Sequence, residues 1–277
     1  LFKKNKIEHV QGHARIVSGN NGVTPCEIEV KKPSGDYYDG EGGEVVETIS
    51  ADWVLIATGA KPHQLPFAPC DGSTIIDSSE AMVLESRPES LIIIGSGAIG
   101  MEFAYVYNTF GTKVTIIEML DRILPIEDEE ISKLAGRAFK KQGMNFHTSS
   151  AVQSVERNEN GATVTLTKGD KETSVEAQKV LVAIGVAPRT DGLFDASLGL
   201  ELDRDFIKTD ALSATEPTYQ TNIKGVYAIG DVIGSPLLAH VASEEAVTCV
   251  ERMLGHHTLG VDYNSIPACT YTNPQIA

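Results

Sequence analysis

With 277 residues, 42% of them hydrophobic and 22% charged, the chain is long enough for about two globular domains with real cores. Its 38 acidic against 23 basic residues give a net charge of −15, a field that repels phosphate backbones and anionic lipid and so argues against nucleic acid and membrane surfaces as partners. No apolar run approaches the roughly 18 residues of a membrane-spanning helix, and the four cysteines, Cys26, Cys70, Cys249 and Cys269, are too dispersed for a CxxC pair or metal-ligand spacing. The basic start, Leu1 to Lys6, is followed by no apolar region of a secretion signal. Reduced thiols and a cytoplasmic location are the expectation, with no metal site.

Residues 1 to 57 have β character. Ile7 to Val17 reads as a strand, Cys26 to Val30 alternates with Ile28 and Val30 on one face, Lys32 to Gly43 has the Gly, Asp and Tyr of a hairpin loop, and Val45 to Ser50 is another strand. Trp53 to Ala57 is short and continuously apolar, as in a parallel strand buried on both faces, and ends at Thr58-Gly59. Pro62, Pro66 and Pro69 make Lys61 to Pro69 a linker. Ser78 to Leu84 reads as a short helix capped by Ser78 or Ser79, and Pro88 opens a new unit.

From there the pattern is strand (Leu91 to Ile94), glycine turn, helix (Ala98 to Phe110, ended by Gly111) and strand (Lys113 to Ile117). Glu127 to Gln142 is an amphipathic helix with Ile131, Leu134, Ala135 and Ala138 as its apolar face and Gly143 as its stop. Asn145 to His147 is a third strand. Ala151 to Glu156, Ala162 to Thr167 and Ser174 to Ala177 form an antiparallel meander turning at Asn160-Gly161. Lys179 to Ile184 and Gly225 to Ile229 are apolar strands ending at Gly185 and at Gly230-Asp231, Leu237 to Leu254 is a helix, and the tail Ile266 to Ala277 has strand character.

The sharpest motif is Gly95-Ser96-Gly97-Ala98-Ile99-Gly100, placed directly after an apolar strand and at the start of a helix. Gly95 permits the tight turn, Gly97 lets the backbone approach a pyrophosphate, and Gly100 allows close helix–strand packing. The helix N-terminus then presents free N–H groups and a positive dipole end to the phosphates. An acidic residue belongs about 20 positions on, at the end of the next strand. Glu118 stands there. Its carboxylate accepts ribose hydroxyls and repels a 2′-phosphate, and the next Arg is only Arg122, so NAD is expected over NADP.

These residues resemble the pyridine nucleotide–disulfide oxidoreductases over essentially the whole chain. Ile94 to Ala104 looks like the family's nicotinamide loop, Ala57-Thr58-Gly59-Ala60 like the strand end that abuts FAD, Thr221 to Asp231 like the second flavin motif, and Pro267 to Ala277 like the opening of the dimer-interface domain. Val114 to Pro125 and Leu238-Ala239-His240 most resemble the dihydrolipoamide dehydrogenase branch. The resemblance implies an α/β fold: a Rossmann-like NAD domain (85–208) inserted in a partial FAD domain of related fold with β-meanders (1–84 and 209–262), followed by the start of an interface domain (263–277). It assigns Gly95 to Gly100, Glu102, Glu118, Val152 and Gly185 to NAD, with Val186 standing where the family has a basic residue. It assigns Ala14, Thr58, Gly59, Ala60, Gly230, Asp231, Leu237, Leu238, Ala239 and His240 to FAD.

The family's first flavin loop, its CxxxxC redox pair and its later His/Glu pair have no counterpart in this sequence. The resemblance therefore implies a truncated flavin- and NAD-dependent oxidoreductase with a whole nicotinamide site, a half-built FAD site and no catalytic residue of its own. A 2-oxo acid dehydrogenase complex and a homodimer are the family's partners. The alternatives are a non-catalytic NAD-binding fragment or another flavoprotein disulfide reductase.

Overall fold

The computed structural model describes residues 1–33, 42–212 and 216–277. The chain divides into two compact units, Leu1–Lys61 with Ala187–Ser265 and Pro62–Val186 with Ile266–Ala277. Among the described residues no helix is long and apolar enough to cross a membrane. The expected mixed α/β class, with a parallel sheet and antiparallel meanders, is what the chain adopts.

The first unit begins with the antiparallel meander β1 (His13–Ser18), β2 (Cys26–Lys31) and β3 (Val45–Ala51). Register places Ile28 opposite both Ile16 and Ile49. The strand expected from Ile7 starts only at His13: Ile7 is exposed, and the chain before it makes a single 3-10 turn over Lys3–Asn5. Most of the expected Lys32 to Gly43 hairpin loop, 34–41, lies outside the described residues. β4 (Val54–Ile56) is shorter than the apolar run that announced it, because Trp53 is half exposed; Ile56 is buried. β5 (Ala60–Pro62) leads out of the unit.

In the second unit the proline-rich stretch is packed rather than free. Leu65, Ala68 and Cys70 lie against Ile75, Val155 and Val182, and the Ala68 N–H donates to the Leu65 carbonyl at 2.9 Å. Apolar side chains between the prolines find a buried surface, and the stretch belongs to the second compact unit. β6 (Ile75–Ile76) precedes α1 (Ser78–Ala81). Its cap is Asp77, not Ser78 or Ser79: Asp77 accepts from the Ser79 and Glu80 N–H groups, and Glu80 accepts from the Asp77 N–H, a complete capping box.

Then come β7 (Ser90–Ile94), α2 (Ala98–Thr109), β8 (Lys113–Ile117), α3 (Glu129–Lys141), β9 (Asn145–His147), the meander β10 (Ala151–Asn158), β11 (Gly161–Lys168) and β12 (Lys171–Ala177), and β13 (Lys179–Val182). Strands β6-β13-β7-β8-β9 form one sheet in that order, every neighbouring pair parallel. Alternation along β7 explains its continuous apolar sequence. Leu91 and Ile93 face Met101, Ala104, Val114, Ile116 and Phe139, on the helix side. Ile92 and Ile94 face Val164, Leu166 and Val180, on the meander side. A strand covered on both faces has no place for a polar residue.

Helix α3 is rotated from its expected face. The buried stripe is Ser132, Ala135 and Phe139, with Ile131 and Leu134 exposed at 39% and 51%. Ser132 is tolerated there because its hydroxyl donates to the Leu124 carbonyl at 3.0 Å. β14 (Val186–Pro188) returns the chain to the first unit, which adds β15 (Leu202–Asp203), β16 (Phe206–Ile207), β17 (Val226–Ala228) and α4 (Ala239–Met253). β17 runs parallel to β4, pairing Val226 with Val54 and Ala228 with Ile56. The tail forms no strand beyond one bridge, Thr270 to Ile276; Ile276 is buried among the α2 and α3 side chains.

Candidate functional site

In the second unit the glycine loop joins β7 to α2 at the carboxyl end of the parallel sheet. Gly95 sits at φ +102°, and a Cβ there would meet the Ala183 carbonyl oxygen at 2.3 Å. A Cβ on Gly100 would meet the Gly95 carbonyl oxygen at 2.2 Å. These two glycines are therefore required by the fold. Gly97 differs: nothing lies within 4 Å of its would-be Cβ. It is the N-cap of α2, with no side chain closing the first turn, and the first helical bond runs from Met101 N–H to the Gly97 carbonyl. The N–H groups of Ala98, Ile99 and Gly100 are left facing outward with the positive end of the helix dipole. This open cradle fits the pyrophosphate of a dinucleotide.

Glu118 follows β8 and is buried at 8% exposure. Its Oε2 accepts from the Ser96 N–H at 2.9 Å and from the Ser96 hydroxyl at 2.7 Å; its Oε1 accepts from the Leu120 N–H at 2.8 Å. The carboxylate is thus tied to the glycine loop itself. Gly185, at φ +113°, lies beyond Ala183 and Ile184, whose backbone closes on Gly95. Val152 packs with Ile94 and Ile117 on the meander side of the sheet. Glu102 is brought elsewhere: one turn into α2, it accepts the Tyr271 N–H at 2.8 Å, a tie to the tail rather than to the glycine loop.

The residues expected at the flavin fall in the first unit. Because β4 and β17 are parallel and in register, Thr58 to Ala60 and Gly230-Asp231 leave the same end of that pair, and the Ile229 N–H donates to the Ile56 carbonyl at 3.0 Å. Gly59 and Gly230 both take φ +71°. Thr58 Oγ1 donates to the Arg189 carbonyl at 2.8 Å, while Arg189 Nε donates to the Ala60 carbonyl at 3.0 Å. Asp231 lies inside a 3-10 turn and caps nothing; burial raises its carboxyl above the usual range, and among the described residues no hydrogen bond reaches it. A carboxylate held this way fits a hydroxyl-bearing ligand. Leu238 is the N-cap of α4, again without a side-chain cap, and Leu237, Ala239 and His240 are exposed beside it. Ala14 sits apart on the meander, opposite Val30.

One buried group was missed by sequence reasoning. Glu245, 3% exposed, accepts from the Gly230 N–H at 2.6 Å and from the Tyr263 hydroxyl at 2.8 Å. The signal existed: Val241, Glu245, Thr248 and Cys249 lie at helical spacing on the buried stripe of α4, where a carboxylate is out of place. Burial first, and the nearby Asp231 charge, raise the Glu245 pKa above its ordinary 4.5. A raised carboxyl contributes stability that is full below pH 4.5 and is lost as pH rises through the folded-state value. Glu245→Gln keeps an acceptor without the charge. Its unfolding midpoint is expected to gain on the wild type as pH rises above the ordinary 4.5 and Glu245 ionises in the folded state; parallel curves in a thermal scan would refute this.

The four cysteines are free. Burial raises Cys26, Cys70 to about 11 and Cys249 to about 12, so none of these three supplies a thiolate near neutral pH.

Comparison with known proteins places this geometry. A family model described as pyridine nucleotide-disulphide oxidoreductase matches residues 2–246. The chain is 37% identical to a dihydrolipoyl dehydrogenase of Rhizobium etli, covering 100% of this chain and 56% of that protein. It is also 37% identical to a leghemoglobin reductase of Glycine max, of which it covers 49%. Among solved structures, LpdA of Mycobacterium tuberculosis superposes with a TM-score of 0.84 at 28% identity, over 99% of this chain and 56% of that one. The HOCl-induced flavoprotein disulfide reductase RclA of Escherichia coli shares the fold, with a TM-score of 0.81 at 23% identity, over 99% of this chain and 57% of that one. The chain spans about half the length of the curated relatives it matches. On the family model's match over most of its length, this chain belongs to the pyridine nucleotide-disulphide oxidoreductase family.

Proposed function

We propose that the unit built on Pro62–Val186 binds NAD(H), and that the chain carries the nicotinamide half, with part of the flavin half, of a dihydrolipoamide dehydrogenase-type flavoprotein. The observation that carries the first part is the constellation of an open Gly97, an uncapped α2 N-terminus and Glu118 fixed beside both. In domain terms, 85–208 is a Rossmann-like NAD domain inserted between 1–84 and 209–262, a partial FAD domain, with 263–277 opening an interface domain. Ala14, Thr58 to Ala60, Gly230, Asp231 and Leu237 to His240 are the proposed flavin-side residues.

A flavin and a nicotinamide bound together would supply hydride-transfer chemistry. This chain's residues hold the dinucleotide: the α2 N–H groups face its pyrophosphate and Glu118 its adenosine ribose. No residue here is assigned to the dithiol chemistry. Oxidation of dihydrolipoamide, assembly with a 2-oxo acid dehydrogenase complex and homodimerisation are proposed for a protein of the relatives' length. A second reading is another member of the same family with a different substrate, since a relative named leghemoglobin reductase stands at the same 37% identity as the dihydrolipoyl dehydrogenase.

Calorimetric titration of the purified chain with NADH, NADPH and FAD, read with its visible spectrum, tests the proposal. Binding of NADH over NADPH supports it, and binding of neither overturns it. A yellow chain that retains FAD would show the flavin side to be sufficient by itself.

A further inference from the structure

Glu118 and Ser96 are both buried, and they are bonded twice through a single oxygen. The Ser96 N–H and the Ser96 hydroxyl both donate to Oε2, at 2.9 and 2.7 Å. A carboxylate oxygen has two lone-pair directions, so Ser96 takes up all of Oε2. On Oε1 the Leu120 N–H, at 2.8 Å, occupies one direction and leaves one. The carboxylate therefore cannot rotate about its last torsion without breaking at least two hydrogen bonds. Ser96 is itself anchored independently of its side chain, because its carbonyl accepts from the Leu124 N–H at 2.9 Å.

We propose that the Ser96 hydroxyl is a specificity-determining positioning group: it locks Glu118 so that one fixed acceptor remains for a ribose hydroxyl, and the locked charge rejects a 2′-phosphate. This rests on the reading that the loop binds NAD(H). A ribose hydroxyl donates a proton to the free Oε1 direction. A 2′-phosphate brings negative charge and acceptors to a group that only accepts, and a carboxylate held on three sides cannot swing away to relieve the repulsion. Rigidity, rather than the mere presence of an acid, makes the discrimination large, because a mobile glutamate would yield to the phosphate. Glycine or alanine at position 96 would keep the N–H bond and lose the hydroxyl bond.

The test is the ratio of NADPH to NADH dissociation constants for the purified chain, by calorimetry. In Ser96→Ala the ratio is expected to fall roughly tenfold, the equivalent of one hydrogen bond to a charged group. Most of the fall is expected as tighter NADPH binding. Ser96→Gly should behave alike, and Ser96→Cys, which keeps a weak donor, should recover part of the ratio. Glu118→Gln sets the limit, with discrimination abolished. Folding of each variant is checked by its unfolding transition, and the Ala, Gly and Cys trio covers the failure of any one. A ratio unchanged in a folded Ser96→Ala or Ser96→Gly overturns the positioning role while leaving the NAD reading in place. A wild type that prefers NADPH overturns the NAD reading together with the positioning role. A wild type that binds neither nucleotide overturns both.

Discussion

Gly97→Val is expected to abolish dinucleotide binding and leave the fold intact. Gly97 has φ −68° and ψ −178°, extended backbone that any residue adopts, and open space around its would-be Cβ. Nothing in the protein therefore resists a side chain there. A valine would stand where a pyrophosphate must approach the α2 N–H groups, and would shield them. The NADH dissociation constant should rise at least about 100-fold, some 2.7 kcal/mol, with an unfolding midpoint within about 2 °C of the wild type. Titration and a thermal scan on the same preparation check both halves. Undiminished NADH binding would remove the loop from the site. The neighbouring glycines give the contrast: Gly95 and Gly100 face backbone oxygens at 2.3 and 2.2 Å, so alanine at either should damage folding before it reports on binding.

The largest effect on stability is expected at Phe139. Its side chain is fully buried, in one cluster with Leu91, Ile93, Met101, Val114 and Ile116. Phe139→Ala should cost about 3–5 kcal/mol, transfer and cavity together. Leu134→Ala, five residues earlier on the same helix but half exposed, should cost no more than about 1 kcal/mol. Urea unfolding of the two variants decides which face of α3 is the inner one. Equal costs would mean that the helix sits as its sequence suggests and not as the structure has it.

That helix shows where local pattern stops being informative. Ile131, Leu134, Ala135 and Ala138 are an apolar stripe by composition, yet the buried line is Ser132, Ala135 and Phe139. Two adjacent stripes were available. The choice fell to the one whose large aromatic fills the space over β7 and β8 and whose serine finds a carbonyl, Leu124. The cap of α1 is a similar case. Three cap-competent residues stand in a row, and Asp77 wins because Glu80 lies three positions on and closes the box.

Sequence alone determined the parallel strands, the meander, the glycine loop and the acidic residue after β8. Each of these follows from short-range rules: two-residue alternation, a left-handed turn only glycine tolerates, a helix beginning where a strand ends. Only the tertiary structure decided what those residues touch. Ser96 meets Glu118 across 22 positions, Gly230 meets Glu245 across 15, and Glu102 meets the Tyr271 backbone across 169. A hydrogen bond of this kind has no periodicity to betray it. It exists because burial leaves a polar atom without water, and the partner that satisfies it is whichever group the packing of distant segments brings within 3 Å or so.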